Sequence, residues 1–340
     1  MAGRLVLAVA GSGKTSHLIN LLNDNERFLI VAYTNSNVAA LNRRIILRFG
    51  FFPPNITLVS YFVFLHSICY KPFLKMQHGT TGINFKPCES RFARGRDRYI
   101  DSYGRLYSNR LAKVLVEEGV IPDVIQRLDK YFDHILIDEF QDFSGHDFNF
   151  IAALSDVRAQ LMCVGDFFQY TYATSLDGNV NGSLHDTYAT YVERCRGIGL
   201  AVDEASLESS YRCSPTVCDF VSDKIGIQIR SHRDDATAVK LVDRADEATA
   251  LFKDGAVAKL FLQNSIKYPG KTKNWGDCKG EDHHGSVCVV LNPQSMRAYA
   301  NEKLSELAPM TRNKLYVACT RARNNLYFVP EELLKERRTA

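Results

Sequence analysis

The most chemically distinctive residues near the start of the chain form the run Ala10-Gly11-Ser12-Gly13-Lys14-Thr15. Its glycines let the backbone wrap so that N–H groups converge on phosphate oxygens at the positive end of a following helix. The Lys14 ammonium would reach the outer phosphates, and the Thr15 hydroxyl would bind Mg²⁺. The run therefore predicts a phosphate-binding loop, although the full pattern has glycine where this chain has Ala8. A plain turn between a strand and a helix is the alternative.

Two adjacent carboxylates follow an apolar stretch about 120 residues farther along the chain. Asp138 stands at the predicted tip of a strand, where it could hold Mg²⁺. Glu139 would point to the other side, where it could orient and deprotonate an attacking water. Gln169 follows the next apolar stretch and could sense the terminal phosphate. A solvated turn explains a lone Asp-Glu pair, but together with a phosphate loop the pair favours nucleotide hydrolysis.

The elements that must position these residues alternate between strand and helix. Apolar stretches in the first half predict strands at 5–7, 28–32, 56–59, 134–137 and 161–166. The second half repeats the alternation, with strands predicted at 238–242, 257–263, 286–291 and 325–329 and a helix over 312–323. Such alternation favours parallel α/β sheets. We therefore predict two α/β lobes, residues 1–195 and 196–340.

A basic segment, residues 66–113, interrupts the first lobe. It has ten Lys or Arg against three acids, and aromatic residues are interleaved among them. This mixture is typical of surfaces that bind single strands by stacking and charge. A satellite core formed by the same aromatic residues is an equal alternative, and a solvated charged face is a third.

The composition excludes several classes of protein. The chain has 340 residues, 46% apolar and 24% charged, and a net charge of +4, which is ordinary for a globular protein. No apolar run approaches the length of a membrane span. Nine cysteines without a CxxC pair indicate reduced thiols and hence a cytoplasmic protein. A zinc site from Cys278, His283, His284 and Cys288 is a weak alternative, because the spacing fits no usual pattern.

In order along the chain, these segments resemble the motifs of the UvrD/Rep-like branch of superfamily 1 helicases, particularly its compact members. The most specific matches are Ile137-Asp-Glu-Phe-Gln-Asp142 and Tyr316-Val-Ala-Cys-Thr-Arg-Ala322. The phosphate loop, Tyr33-Thr-Asn35, Val164-Gly-Asp166 with Gln169, Ser210-Tyr-Arg212 and Lys279-Gly280 match further motifs.

The resemblance implies a fold and a set of roles. The fold would be two RecA-like lobes with parallel sheets and a basic insertion in the first lobe, with ATP and Mg²⁺ in the cleft between the lobes. Arg212 and Arg321 would reach from the second lobe to the γ-phosphate, and Lys279 and Gly280 would contribute to nucleotide binding. Surface ion pairs are the alternative for both arginines. Residues expected on nucleic acid are Tyr33, Thr34, Asn35, Phe62 and Tyr172.

The resemblance also implies an activity, an ATP-dependent translocase or helicase on single-stranded DNA, with RNA not excluded and 3′ to 5′ movement expected. The alternative is an ATP-switched subunit that serves a protein partner, such as a nuclease, without unwinding a duplex. Motif V lacks its usual Thr-x-His ahead of Lys279, and the arginine-flanked aromatic usual after Gln169 is absent. These departures weaken duplex unwinding more than ATP hydrolysis. A metabolic kinase gives no role to Arg212 and Arg321.

Overall fold

A computed structural model describes residues 3–88, 90, 92–171 and 180–337 of the chain. These residues form two compact units. The first unit comprises 3–6, 14–165 and 180–203, and the second comprises 7–13, 166–171 and 204–337. The main boundary between the units lies at 203/204, eight residues beyond the predicted lobe boundary. In addition, two short segments that are predicted to belong to the first lobe belong to the second unit.

The strands and helices of the first part of the chain are named here in order. The strands are β1 Arg4–Ala8, β2 Phe28–Ala32, β3 Ile56–Ser60, β4 Gly82–Asn84, β5 Arg105–Tyr107, β6 His134–Ile137, β7 Gln160–Gly165 and β8 Ala201–Leu207. The helices are α1 Lys14–Leu21, α2 Asn35–Phe49, α3 Tyr61–Val63, α4 Lys75–His78, α5 Leu111–Glu117, α6 Ile121–Tyr131, α7 Gly145–Ala153 and α8 Tyr188–Gly197. A π-helix, Phe64–Tyr70, continues α3.

The main sheet of this part has the strand order β3-β2-β6-β7-β1-β8. Pairing is parallel between β2 and β3, between β2 and β6 and between β6 and β7. All five residues of β2 are buried, as expected of a parallel strand covered on both faces. Because parallel strands end at one edge, the residues that follow β2, β3 and β6 share an edge of the sheet.

The basic segment 66–113 contains a small sheet of its own, in which β4 pairs with β5 in parallel. Tyr99 is buried beside this sheet, whereas Phe85, Phe92 and Tyr103 are 72%, 90% and 76% exposed. One aromatic side chain of the segment is therefore packed locally while three others face solvent, and binding of single strands by this segment stays a prediction.

The second part of the chain contains the remaining elements. The strands are β9 Ser209–Ser210, β10 Arg230–Ser231, β11 Val239–Leu241, β12 Val257–Phe261, β13 Thr272–Asn274, β14 Ser286–Leu291 and β15 Leu326–Pro330. The helices are α9 Pro215–Phe220, α10 Ala245–Lys253, α11 Pro293–Ala300 and α12 Pro309–Cys319. A five-stranded parallel sheet has the order β11-β15-β14-β12-β13, and β9 pairs with β10 in parallel. A mixed α/β fold with parallel sheets is thus confirmed.

The helix predicted over 312–323 ends at Cys319, four residues early. The Thr320 hydroxyl donates to the carbonyl oxygens of Tyr316 and Val317, at 2.7 and 3.2 Å. The Arg321 N–H donates to the carbonyl three residues earlier, at 3.2 Å, which tightens the last turn. Arg321 therefore lies in a turn rather than on a helix face.

The alternative zinc site predicted from two cysteines and two histidines is wrong. Cys278 lies in one apolar cluster, with Trp275 and Leu315, whereas Cys288 lies in another, with Val242 and Phe261. The Cys278 thiol donates to the Trp275 carbonyl oxygen at 2.9 Å. All nine cysteines are unpaired, as the cysteine pattern predicts.

Within the described ranges, no helix combines the length and the apolar character that a bilayer crossing requires.

Candidate functional site

The phosphate-loop candidates lie where β1 gives way to α1. Lys14 is the first residue of α1, and Thr15 follows it in the first turn. Gly11 and Gly13 have φ angles of +75° and +89°, in the left-handed region that side chains disfavour. The glycines thus provide the sharp turn that the sequence predicts, and the lysine and threonine stand at the positive end of a helix.

The first half of this loop packs tightly within the second unit. A Cβ atom at Gly11 would lie 2.6 Å from Ser210 Oγ and 2.7 Å from Arg212 Cβ. The Tyr211 N–H donates to the Gly11 carbonyl oxygen at 2.9 Å. Glycine is therefore required here by two independent constraints, the backbone angle and the closeness of Ser210 and Arg212.

A buried tyrosine hydroxyl joins three further segments of the second unit. The Ala10 N–H donates to the Tyr316 hydroxyl at 2.7 Å, and that hydroxyl donates to Asp166 Oδ2 at 3.1 Å. Gln169 Nε2 donates to the same carboxylate oxygen at 2.8 Å. The structure thus links the phosphate loop, the predicted γ-phosphate sensor and the segment that precedes Arg321. Burial raises the pKa of Tyr316, so this hydroxyl remains a proton donor.

The carboxylate pair lies at the end of β6 in the first unit, and both side chains are buried. Glu139 has φ of +54°, and its N–H donates to Asp138 Oδ1 at 3.0 Å. Gln141 Nε2 donates to Glu139 Oε2 at 2.6 Å, and His185 Nε2 lies 3.0 Å from the Gln141 carbonyl oxygen. Burial lowers the pKa of His185 to about 4. A neutral imidazole therefore supports the turn that orients the Glu139 carboxylate.

Both candidate arginines are buried within the second unit. Arg212 Nη1 donates to the Thr320 carbonyl oxygen at 3.1 Å, and the Arg212 guanidinium forms an ion pair with Asp282. Burial, and then the nearby positive charge of Arg321, lower the pKa of Arg212 to about 9. Arg212 thus forms an ion pair, as the alternative interpretation of this residue expects. The Arg212 side chain is buried, however, so it is not the surface residue that this alternative requires.

Arg321 is 1% exposed. Its Nε donates to the Val317 carbonyl oxygen at 3.1 Å, and its Nη1 donates to the Glu281 carbonyl oxygen at 2.9 Å. Among the described residues, Nη2 has no hydrogen-bond partner. A buried guanidinium that is held by carbonyl dipoles, with one nitrogen unsatisfied, retains the capacity to bind an anionic oxygen.

Lys279 and Gly280 lie in the polar turn between β13 and β14, and Gly280 has φ of +82°. The glycine again allows a left-handed turn, and a Cβ atom at that position would meet nothing within 4 Å. The requirement for glycine at 280 is therefore a matter of backbone conformation and not of close packing.

The nucleic-acid candidates of the first unit follow β2 and β3. Tyr33 stacks on Tyr61, with 5.9 Å between ring centroids, and meets Phe143 edge-on at 5.3 Å. Phe62 stacks on His66 at 5.7 Å. Both Tyr33 and Phe62 remain partly exposed, so each ring keeps surface available for a base.

Thr34 caps α2, because its hydroxyl accepts the Asn37 N–H at 3.2 Å, and Asn35 begins that helix. Tyr172, the remaining candidate, lies outside the described residues.

Sequence reasoning missed the residues that hold the candidates in place, namely Tyr316, Asp166, Gln141, Ser210 and Asp282. The first four stand within the motif runs. Gln141 holds Glu139 from two residues away, whereas the contacts of Tyr316, Asp166 and Ser210 join segments far apart in the chain. Tyr316 and Ala10 are separated by 306 residues. No local spacing pattern encodes such a pair.

One family model covers two of these motif runs, the run around Asp138 and the run that ends at Gln169. The family model for the UvrD/REP helicase N-terminal domain matches residues 102–174. No curated protein matches the chain in sequence. A solved complex of arterivirus nonstructural protein 10, a helicase, with DNA is 16% identical with a TM-score of 0.51, and the alignment covers 98% of this chain and 62% of that one.

Two other solved structures are also similar. The PRRSV helicase is 14% identical with a TM-score of 0.49, over 99% of this chain and 54% of that one. A second structure of the arterivirus nonstructural protein 10 helicase is 18% identical with a TM-score of 0.47, over 98% of this chain and 61% of that one. The chain thus spans little more than half the length of these helicases.

Proposed function

Because this chain has the fold of the superfamily 1 helicases and carries a UvrD/REP helicase segment, we infer that it is a Mg²⁺-dependent ATPase that moves along single-stranded DNA. Residues 1–195 and 196–340 act as its two RecA-like lobes in this proposal. The observation that carries the proposal is the buried Asp138-Glu139 pair at the end of β6, with Glu139 held by Gln141 at 2.6 Å.

The first unit supplies the groups that bind and hydrolyse the nucleotide. Lys14 and the N–H groups at the start of α1 bind the phosphates of ATP. Thr15 and Asp138 hold Mg²⁺, because a hydroxyl and a carboxylate are the oxygen ligands that this ion prefers. Glu139 accepts a proton from the attacking water. The fixed turn at Glu139 supports this role, since a general base must be held in one orientation.

The second unit supplies positive charge and a sensor. Arg321 and Arg212 stabilise the charge that develops on the γ-phosphate, a contribution worth about 10³ to 10⁵ in rate for arginine fingers. The unsatisfied Nη2 of Arg321 supports this assignment. Gln169, bonded to Asp166, reports the state of the γ-phosphate to the Tyr316 network, and Lys279 and Gly280 contribute to nucleotide binding.

Single-stranded DNA contacts the first unit through Tyr33, Thr34, Asn35 and Phe62 in this proposal. The partly exposed rings support stacking on bases, and the basic segment 66–113 attracts the phosphate backbone. The structure solved with DNA is a helicase of similar fold. The nine unpaired cysteines support a cytoplasmic location.

The test is an ATPase assay with and without a single-stranded oligodeoxynucleotide. We expect DNA to stimulate hydrolysis, and Glu139→Gln to lower kcat by about 10² to 10⁴ while ATP binding is retained. Arg321→Ala should lower kcat by about 10³ or more. The matched control is Arg244→Ala, which removes an exposed arginine that pairs with Asp246 and should leave kcat unchanged.

Hydrolysis that no DNA or RNA stimulates would refute the motor. Copurification of a stable protein partner, together with weak and salt-insensitive DNA binding, would instead support the ATP-switched subunit. For the motor, log affinity should fall by about 0.7 per phosphate contact for each tenfold rise in salt.

A further inference from the structure

The turn between β13 and β14 brings two imidazoles and a carboxylate together. One donor atom from each of Glu281, His283 and His284 lies within 4.8 Å of the other two. His284 Nε2 lies 2.8 Å from Glu281 Oε2. Glu281 and His284 are half-buried, whereas His283 is exposed. The cluster therefore has one donor residue that is exposed to solvent and two that are partly exposed.

The chemical types of these groups suit a metal ion. Imidazole nitrogens and carboxylate oxygens are both ligands that divalent transition metals bind. Neutral imidazole and ionised carboxylate are the forms that bind divalent metals.

The donor set selects the class of metal. Mg²⁺ and Ca²⁺ bind oxygen ligands almost exclusively, whereas Zn²⁺ binds two histidines and one glutamate with water in its fourth position. Ligands about 2.0–2.2 Å from Zn²⁺ in a tetrahedron stand about 3.3–3.6 Å from each other. The observed 2.8 Å between His284 Nε2 and Glu281 Oε2 therefore needs an expansion of about 0.5–0.8 Å for both atoms to bind one Zn²⁺.

One competitor for Glu281 is already present, because the Lys273 ammonium forms an ion pair with its other carboxylate oxygen. The Lys273 side chain is 48% exposed, so it can turn into solvent at little cost. Arg321 Nη1 contacts the backbone carbonyl of Glu281 rather than its carboxylate, and it leaves the donor atoms accessible.

The cluster also lies on the segment that anchors the candidate arginines. Arg321 donates to the Glu281 carbonyl oxygen at 2.9 Å, and Arg323 donates to the Asp282 carbonyl oxygen at 2.7 Å. The Asp282 carboxylate pairs with Arg212. An ion bound by Glu281 and His284 would therefore restrain the backbone that holds these side chains.

We propose that Glu281, His283 and His284 form a binding site for a divalent transition metal of the Zn²⁺ class, separate from the Mg²⁺ site of the proposed ATPase. Zn²⁺ binds a lone pair of the neutral His284 imidazole, whose ring proton shifts from Nε2 to Nδ1, and water completes the coordination. The site uses none of the residues assigned to ATP or DNA. A test of Zn²⁺ binding is therefore independent of a test of the proposed function.

The test uses the metal-free full-length chain, titrated with Zn²⁺ in competition with a chromogenic chelator, and Co²⁺ absorption as a second readout. We expect one equivalent of Zn²⁺ and a Co²⁺ spectrum typical of four-coordinate geometry. Loss of an outer-sphere partner typically weakens metal binding by about 10–100-fold. His284→Ala and Glu281→Gln should each weaken the affinity for Zn²⁺ by more than this. His283→Ala, at an exposed position, should also weaken binding without affecting the fold.

Two control variants separate this site from other donors. His232→Ala removes an exposed imidazole elsewhere in the second unit, and Cys88→Ser removes a half-buried thiol; neither should change Zn²⁺ affinity. Lys273→Ala removes the competing ammonium and should tighten Zn²⁺ by up to about fivefold, the equivalent of one surface ion pair. The proposal would be overturned if both His283→Ala and His284→Ala bind Zn²⁺ with wild-type affinity. It would also be overturned if the wild-type protein binds Zn²⁺ too weakly to compete with the chelator.

Discussion

Gly11→Ala is the substitution whose effect the structure defines most closely. The residue has φ of +75°, and an added Cβ atom would lie 2.6 Å from Ser210 Oγ and 2.7 Å from Arg212 Cβ. The hydroxyl of Ser210 could move, but the Cβ atom of Arg212 is fixed to its backbone. Alanine at position 11 therefore must displace either the phosphate loop or the backbone that carries Arg212.

Three contributions set the expected loss of stability. A left-handed backbone costs an L-residue about 1–2 kcal/mol. Because the unfolded chain has less conformational freedom with alanine than with glycine, about 0.4–1 kcal/mol of this cost is offset. Overpacking in a close-packed interior adds about 1–3 kcal/mol. Gly11→Ala should thus lower the free energy of unfolding by about 2–4 kcal/mol.

Gly270→Ala is the matched control in the same unit. Its φ is +89°, but a Cβ atom there would meet nothing within 4 Å. This variant therefore experiences only the backbone contribution, about 1 kcal/mol. The difference between the two variants isolates the packing contribution.

Urea unfolding followed by tryptophan fluorescence suits this comparison. Trp275 is the single tryptophan of the chain, and it is buried in the apolar cluster of the second unit that includes Ala10. Its emission therefore reports the unfolding of the unit that contains both glycines. Equal destabilisation in the two variants would refute the close packing of Gly11 against Ser210 and Arg212.

Three further outcomes follow from contacts of the candidate site. Tyr316→Phe leaves the buried Ala10 N–H without its acceptor and should lower the free energy of unfolding by about 1–3 kcal/mol in the same urea assay. His185, whose folded pKa is about 4 against about 6.5 when unfolded, should make stability fall by about 3 kcal/mol as pH drops from 6.5 to 4. His185→Gln should abolish that part of the pH dependence measured by circular dichroism; an unchanged profile would refute its burial as a neutral imidazole. Gln141→Ala removes the 2.6 Å bond to Glu139 and should lower kcat by about 10²-fold, with KM for ATP little changed.

The alternation of strands and helices, and the chemical groups at several strand ends, could be predicted from the sequence. β2 is a continuous apolar run, β6 is apolar after its first residue His134, and polar residues follow each strand where it ends. The Gly-Lys-Thr run places its lysine at the first residue of α1, as its local chemistry dictates. These features depend on periodicity and on neighbours within a few residues, so one stretch of sequence suffices to predict them.

Tertiary structure alone decided how these groups are held. The Tyr316 hydroxyl meets the Ala10 N–H across 306 residues of chain, and Ser210 approaches Gly11 closely enough to exclude a Cβ atom. The early end of α12 places Arg321 in a turn, where its guanidinium bonds to the carbonyl oxygens of Val317 and Glu281. Local spacing sets which residues share a face or an edge of an element, but burial and long-range packing set which polar groups find partners. That is why the candidate residues could be selected from the sequence, whereas most of their supporting contacts could not.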